Sequence, residues 1–350
     1  MAQQEFRNNA ARNLADVEAW NCKRSEPALE PGLPIVDPHH HLWFDEQRGC
    51  YLIPELMNDI ADSGHHIVAT VYIESTVMYR AEGPAELQPV GEVEFANGAA
   101  AISASGRCGQ TQACAAIVGH AHLVLGERVQ PVLEALIAAG NGRLRGIRDS
   151  TPWDSGNALA TYRRKIPRYR LLDPAFRAGF ARLAPLGLSY DAWLFHPQMP
   201  ELADLARAFP NTQIILDHAG GLLGIAPHDG KRDELSAVWR KLIRELAQCP
   251  NVSVKIGGLG MLFCGWDFHL RDAPPSSEEL AAAWRPYVET CIEAFGVERC
   301  MMESNFPVDK QTGSYGVLWN SMKRITQRCS ASEKAALYRD TAARIYRLAV

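Results

Sequence analysis

Hydrophobic and polar positions alternate in two rhythms along this chain. Short apolar runs recur from residue 35 onward, and stretches with helical spacing separate them. Ile35–Asp37, His66–Glu74, Ala113–Gly119, Arg143–Arg148, Leu188–Phe195, Gln213–Asp217, Asn251–Ile256 and Arg299–Glu303 read as strands, several rich in β-branched residues. Between them the pattern predicts helices over 54–63, up to about Ser105 after a polar stretch at 80–98, and over 126–139, 173–185, 200–209, 233–248 and 277–295. Two more, over 315–327 and 332–347, end the chain. The clearest puts Val129, Val132, Leu133, Leu136 and Ile137 on one face. Strands that alternate with helices favour a parallel sheet, and eight such units over this length fit the α/β class as a (β/α)8 TIM barrel. A doubly wound sheet is the other architecture with this rhythm. It expects a glycine-rich phosphate loop after its first strand, and Pro38-His39-His40-His41 stands there instead.

Residues 1–33 precede the alternation. Asn8–Trp20 can form a short amphipathic helix, and Ser25–Pro34 carries three prolines and a glycine, as a linker does. The chain thus divides into an N-terminal helical extension, 1–33, and a barrel, 34–350. The extension can pack on its own barrel or on a neighbour's, which leaves a homo-oligomer open.

Composition narrows the partners. A net charge of -4 over 350 residues supplies no basic footprint, so nucleic acid is not expected. No apolar run approaches the roughly 20 residues that cross a bilayer, and the N-terminus has no apolar leader core. The nine cysteines are odd in number and form no CxxC pair, which suits reduced thiols in the cytoplasm. A small-molecule substrate is the expected partner.

The candidate chemistry sits at strand ends, where barrel active sites are built. On an extended chain His39 and His41 point to one face and His40 to the other. Glu74 follows the second strand, and His120 and His122 the third. Arg145 and Arg148 mark the fourth; three apart, they face opposite ways, and Arg148 is the better placed to clamp a substrate carboxylate or carbonyl. His196 follows the fifth strand and His218 the sixth, Lys255 lies on the seventh, and Asn305 follows the eighth. A single histidine of this kind is more often a buried, hydrogen-bonded residue than a ligand. Histidines after three strands of one barrel converge on one mouth, where three imidazoles and a water suit zinc and a fourth can move protons near neutral pH.

The HxH of His39 and His41, Leu216-Asp217-His218-Ala219-Gly220-Gly221, and Ser304-Asn305-Phe306-Pro307-Val308-Asp309, in this order, resemble the amidohydrolase superfamily. The nearer likeness is to its amidohydrolase-related branch of sugar-acid lactonases, pyrone-dicarboxylate lactonase and zinc decarboxylases. The resemblance implies a divalent metal, zinc by preference, held by His39, His41 and His196, with His218 catalytic. It also allows metal-independent action. The family's strand-eight aspartate, both metal ligand and general base, falls on Asn305, whose amide cannot take a proton from water. Asp309 is then the first substitute base, although a helix cap or loop anchor explains it as well. Glu303 reads as a supporting or structural residue. Lys255 shares a face with Ser253, and Glu74 is a candidate partner for it inside the barrel. Trp43 and Trp193, with Tyr72, Phe263 and Trp266, offer rings for a substrate wall. Three functions compete: a hydrolase that opens a lactone, a zinc-dependent decarboxylase of an aromatic or unsaturated acid, and an inactive barrel that serves as a binding subunit.

Overall fold

The computed structural model describes residues 12–45, 49–106, 109–156 and 166–350. Eight parallel strands form one sheet in sequence order: β1 (Pro34–His40), β2 (His66–Ile73), β3 (Gln112–Gly119), β4 (Leu144–Ile147), β5 (Ser189–Ala192), β6 (Ile214–Leu216), β7 (Val252–Ile256) and β8 (Cys300–Met302). The ring closes just beyond the last strand. Asn305 N–H donates to His39 O at 2.9 Å, and His41 N–H donates to Phe306 O at 2.8 Å. Asp37 reinforces that seam, accepting from Ser304 N (3.0 Å), Ser304 Oγ (2.5 Å) and Tyr315 OH (2.9 Å). The fold is a (β/α)8 TIM barrel.

Strand register sets which side chains fill the interior. Asp191 pairs with Ile215, Ile215 with Ser253, and Met301 with Lys255. The lower interior is apolar, with Val36, Ala69, Val71, Ala116, Val118, Ile215 and Met301 packed against Ile345 and Tyr346 of the C-terminal helix Thr341–Tyr346. The larger apolar shell lies between the strands and the surrounding helices. Among the described residues no helix is long and apolar enough to cross a membrane.

The eight expected strands form close to their expected bounds, and helix Ser277–Phe295 matches its expected range. Other helices differ. The third runs Val90–Ala104 and begins inside the stretch that reads as polar. Its Glu92 is buried and accepts from Tyr72 OH (2.9 Å) and Ser75 N (2.7 Å), so charge there does not mean exposure. The expected 126–139 helix starts at Gln130, because Gly126 takes a non-helical conformation. The 173–185 segment is helical only over Pro174–Phe180, with a separate turn at Ala184–Leu186. The 332–347 helix is interrupted by a wider turn at Ala336–Asp340. A hairpin of Trp43–Asp45 and Gly49–Tyr51 follows β1 and was not expected.

The extension's helix spans Leu14–Asn21; residues 1–11 lie outside the described residues. It packs on its own barrel. Trp20 Nε1 donates to Arg271 O (2.8 Å), Asn21 Nδ2 to Lys310 O (3.0 Å) and Arg24 Nε to Pro274 O (2.7 Å). Part of the long loop after β4, 157–165, is likewise outside the described residues.

Candidate active site

The upper interior of the barrel is polar and buried. His39, Asp191, Asp217, Lys255 and Glu303 have fully buried side chains. Lys255 Nζ lies 2.6 Å from Asp191 Oδ2 and 3.2 Å from Asp217 Oδ1. Burial pulls its pKa down, but Asp191 and Asp217 outweigh this and hold it above the ordinary value. Glu74 is not its partner. Glu74 stands at the end of β2 and reaches Arg148 across β3, with Arg148 Nε donating to Glu74 Oε1 at 2.9 Å and Nη2 to its carbonyl. Arg148 enters the barrel while Arg145 reaches the Tyr346 carbonyl (2.9 Å). Arg148 is thus engaged by Glu74 rather than open as a clamp, and its Nη1 comes within 3.3 Å of His39 Nε2.

His39 and His41 point together, their Nε2 atoms 3.3 Å apart, and His40 turns away to Thr70 Oγ1 at 2.8 Å. His41 Nδ1 donates to Ile73 O (2.8 Å), which leaves Nε2 as the acceptor. Burial holds both His39 and His41 neutral, well below the usual range; Lys255 adds to this at His39 and Arg148 at His41.

Glu303 lies at the centre of the site. Its Oε1 accepts from His218 Nδ1 at 2.8 Å, and its Oε2 lies 3.0 Å from His39 Nδ1. Burial alone raises this carboxyl, but His218 and His39 outweigh it and lower it to about 2. With Nδ1–H committed to a carboxylate, His218 carries its lone pair on Nε2, the arrangement of an oriented general base. The backbone is built for this placement. His218 has φ 57, Ala219 φ 49 and Asn305 φ 54, left-handed conformations that cost about 1–3 kcal/mol each and gather at functional sites. Gly258, φ 62, passes so close that a Cβ there would sit 2.5 Å from His218 Nδ1. Trp193 meets the His218 ring edge-on at 5.0 Å and packs on Phe263, and Trp43 stacks on His41 at 6.2 Å. Trp266 instead lies under Arg232.

Asn305 turns to Asp309, with Nδ2 donating to Oδ1 at 3.0 Å, and Gly260 N–H donates to Oδ2 at 3.1 Å. Burial raises the Asp309 carboxyl to about 7 against the pull of His218. His196 is buried, but its ionisable neighbours are His228 and Asp154, which lie 3.2 Å from each other. Burial first, then His228, lowers His196 to about 4. Among the described residues, two groups of three bring donor atoms close enough to share an ion: His39, His218 and Glu303, and His120, His122 and Asp149. His196 joins neither group.

The inner residues fit a divalent cation. Both Asp217 oxygens and Glu303 Oε2 are buried without a well-formed hydrogen bond. The 3.3 Å between the His39 and His41 Nε2 atoms also matches two nitrogens held at roughly 2.0–2.1 Å by one tetrahedral zinc.

Glu303, Asp217 and Asp191 are the residues that sequence reasoning underrated. Asp191 interrupts an apolar strand and Asp217 directly precedes His218, and each is a readable sign of a buried charge.

A parallel barrel with histidines and carboxylates at the C-terminal strand ends defines a class of barrel hydrolases. The chain belongs to the amidohydrolase family, whose model matches residues 36–348. It is 35% identical over 323 residues to the uncharacterized protein y4mH of Sinorhizobium fredii, covering 90% of this chain and 99% of that protein. It is 33% identical over 181 residues to L-fucono-1,5-lactonase of Burkholderia multivorans, a match that spans 50% of this chain and 57% of the lactonase. Among solved structures, an amidohydrolase from Burkholderia multivorans with bound zinc shares the fold at a TM-score of 0.66 and 24% identity, over 90% of this chain and 99% of that one.

Proposed function

We propose that this amidohydrolase opens a lactone by water attack at the barrel mouth. The observation that carries this reading is the Glu303–His218 pair at 2.8 Å, beside the converging His39 and His41. Glu303 restores at the end of β8 the carboxylate that Asn305 lacks, which argues against an inactive barrel. In this reading Glu303 orients His218, and His218 Nε2 takes the proton from water. Arg148, fixed by Glu74, and His41 lie beside the position where charge develops on the lactone carbonyl oxygen. His39 and His41 would hold the metal, which when bound polarises the carbonyl and acidifies water. Trp193 and Phe263 cover the dyad and exclude bulk water. Arg148 is already paired with Glu74, which favours a lactone recognised through hydroxyls and ring faces over a dicarboxylate. The lactonase relative supports the same class.

The test is hydrolysis of a panel of sugar-acid and aromatic-pathway lactones, followed by proton release, with a known lactonase as control. Opening of at least one lactone by the wild type, abolished in His218→Asn, is expected. A panel left untouched while the control works would overturn the reading, and release of carbon dioxide from carboxylated phenols would replace it with decarboxylation.

A further inference from the structure

We propose that His120, His122 and Asp149, just beyond the ends of β3 and β4, form a second cation site, one that takes an imidazole-preferring divalent transition ion such as zinc or cobalt from solution. The inference goes beyond the hydrolase reading and does not depend on it.

One donor atom from each of the three residues lies within 4.8 Å of the other two. None of the three belongs to the group of His39, His218 and Glu303. Arg148 touches both groups. Its guanidinium reaches Glu74 and His39, while its carbonyl accepts from His120 Nδ1 at 2.9 Å. That last bond has a chemical consequence. A metal-binding histidine almost always donates its other ring N–H to a carboxylate or a backbone carbonyl, which fixes the ring and puts the lone pair on the ligating nitrogen. His120 is held in this way, with its lone pair on Nε2, as His41 is held by the Ile73 carbonyl. Tyr79 lies nearly parallel to the His120 ring at 6.5 Å and backs it.

Asp149 is fixed as well. Leu123 N–H donates to Oδ2 at 2.9 Å, and Tyr190 OH donates to the Asp149 carbonyl at 2.8 Å. Oδ1 lies 4.0 Å from His120 Nδ1. A loop anchor accounts for these two buried residues but not for His122, which is exposed and sets its ring edge-on to His120 at 4.6 Å. Two ligands at about 2.0–2.1 Å from one zinc are at most about 4.2 Å apart. An ion therefore closes the triangle by a small turn of His122, while the two buried members stay in place. The exposed side is also the ion's way in.

The donor set selects the ion. Two imidazoles and one carboxylate, with the remaining positions left to water, suit zinc, iron, cobalt or nickel, whereas magnesium and calcium prefer oxygen throughout. Open to solvent beside His122, the site is expected to fill from added metal rather than to keep its ion through purification.

The experiment titrates untagged full-length protein, as purified, with cobalt(II). Native mass spectrometry counts the bound ions, and visible absorption follows the bound cobalt. Wild type is expected to bind one ion more than His122→Ala at the same cobalt concentration, with a stronger visible band. Asp149→Asn keeps an oxygen for Leu123 N–H and removes the charge. It should weaken cobalt at this site by about a hundredfold or more, since changes outside the ligand shell already cost about 10- to 100-fold. Circular dichroism should be unchanged in both variants. Equal ion counts in wild type and His122→Ala would overturn the proposal. Full binding in Asp149→Asn would also overturn it, because the histidines alone would then be the chelator, and so would displacement of the cobalt by excess magnesium. The ion that depends on His122 should persist in His41→Ala. Failure of the HxH pair to hold metal and failure of this site are thus read separately, and lactone hydrolysis enters neither count.

Discussion

Replacing Glu303 by glutamine tests the centre of the site. Glutamine keeps the shape and removes the charge. Burial pushes the Glu303 carboxyl up, yet His218 and His39 bring it from the usual 4.5 to about 2. A drop of that size is worth about 3 kcal/mol of favourable interaction with the ionised form. The group is fully buried, so solvent does not screen it. The amide oxygen can still accept from His218 Nδ1–H, but a neutral acceptor stabilises the imidazolium that forms on proton transfer far less than a carboxylate does. Loss of the charge that orients the proposed general base His218 is expected to lower kcat by about a hundredfold or more, with KM little changed. Stability moves in a defined direction. The folded-state value lies below the unfolded one, so this contribution is complete above about pH 4.5 and disappears as the pH falls toward 2. Wild type should therefore lose stability over that window more steeply than Glu303→Gln, measured by urea unfolding at several pH values. Steady-state hydrolysis of the best lactone is the activity assay. A variant that folds normally and keeps kcat within about threefold would refute the dyad.

His41→Ala should remove the metal from freshly purified, untagged protein, measured by mass spectrometry; near-stoichiometric metal retained in this variant would exclude the HxH pair as its site. Asn305→Asp restores the family's strand-eight residue yet is expected to destabilise by about 1–3 kcal/mol without raising kcat, because the Nδ2 donor to Asp309 is replaced by a second carboxylate. A gain in activity would show that Asn305 occupies the catalytic position after all. Away from the mouth, His65 accepts from Lys323 Nζ at 3.0 Å, and burial followed by Lys323 lowers it to about 4. The unfolded chain binds that proton first, so stability is complete above about pH 6.5 and falls by up to about 3 kcal/mol toward pH 4. His65→Gln should flatten that part of the unfolding profile, and an unchanged slope would remove His65 from the account.

The barrel was legible because each strand is a short apolar run that needs both faces covered, and the helices between carry one apolar stripe. The pairing of His39 with His41 followed from strand alternation alone. Contacts between distant strands did not. Lys255 was placed inside the barrel, but its partners depend on register across β5, β6 and β7, which no local pattern carries. The assignment of Glu74 to Lys255 failed for that reason. His196 follows β5 as expected, yet it leaves the strand on the turn His196–Gln198 and keeps company with His228 and Asp154. Helix Val90–Ala104 was partly hidden because Glu92 is spent on Tyr72 and Ser75, so a charged letter marked a buried position.

The exchange of carboxylates at the end of β8 explains the other departures. On an extended chain residues two apart share a face, so a carboxylate at 303 looks the same way as one at 305 from about 7 Å deeper. At that depth water cannot solvate it, and ionisation requires partners within the barrel. His218 from the end of β6 and His39 from the end of β1 supply them, at 2.8 and 3.0 Å. Gly257 and Gly258 give the room: a Cβ at Gly257 would lie 2.3 Å from Glu303 Cγ, and one at Gly258 would lie 2.5 Å from the His218 ring. Asn305, relieved of ligation, is free to bond Asp309, whose carboxyl burial raises to about 7. His218 thus stands in the field of two carboxyls with opposite tendencies, Glu303 held ionised at about 2 and Asp309 able to carry a proton near neutrality. A barrel that had merely lost its aspartate would not keep that arrangement buried, satisfied on one side and strained at His218, Ala219 and Asn305.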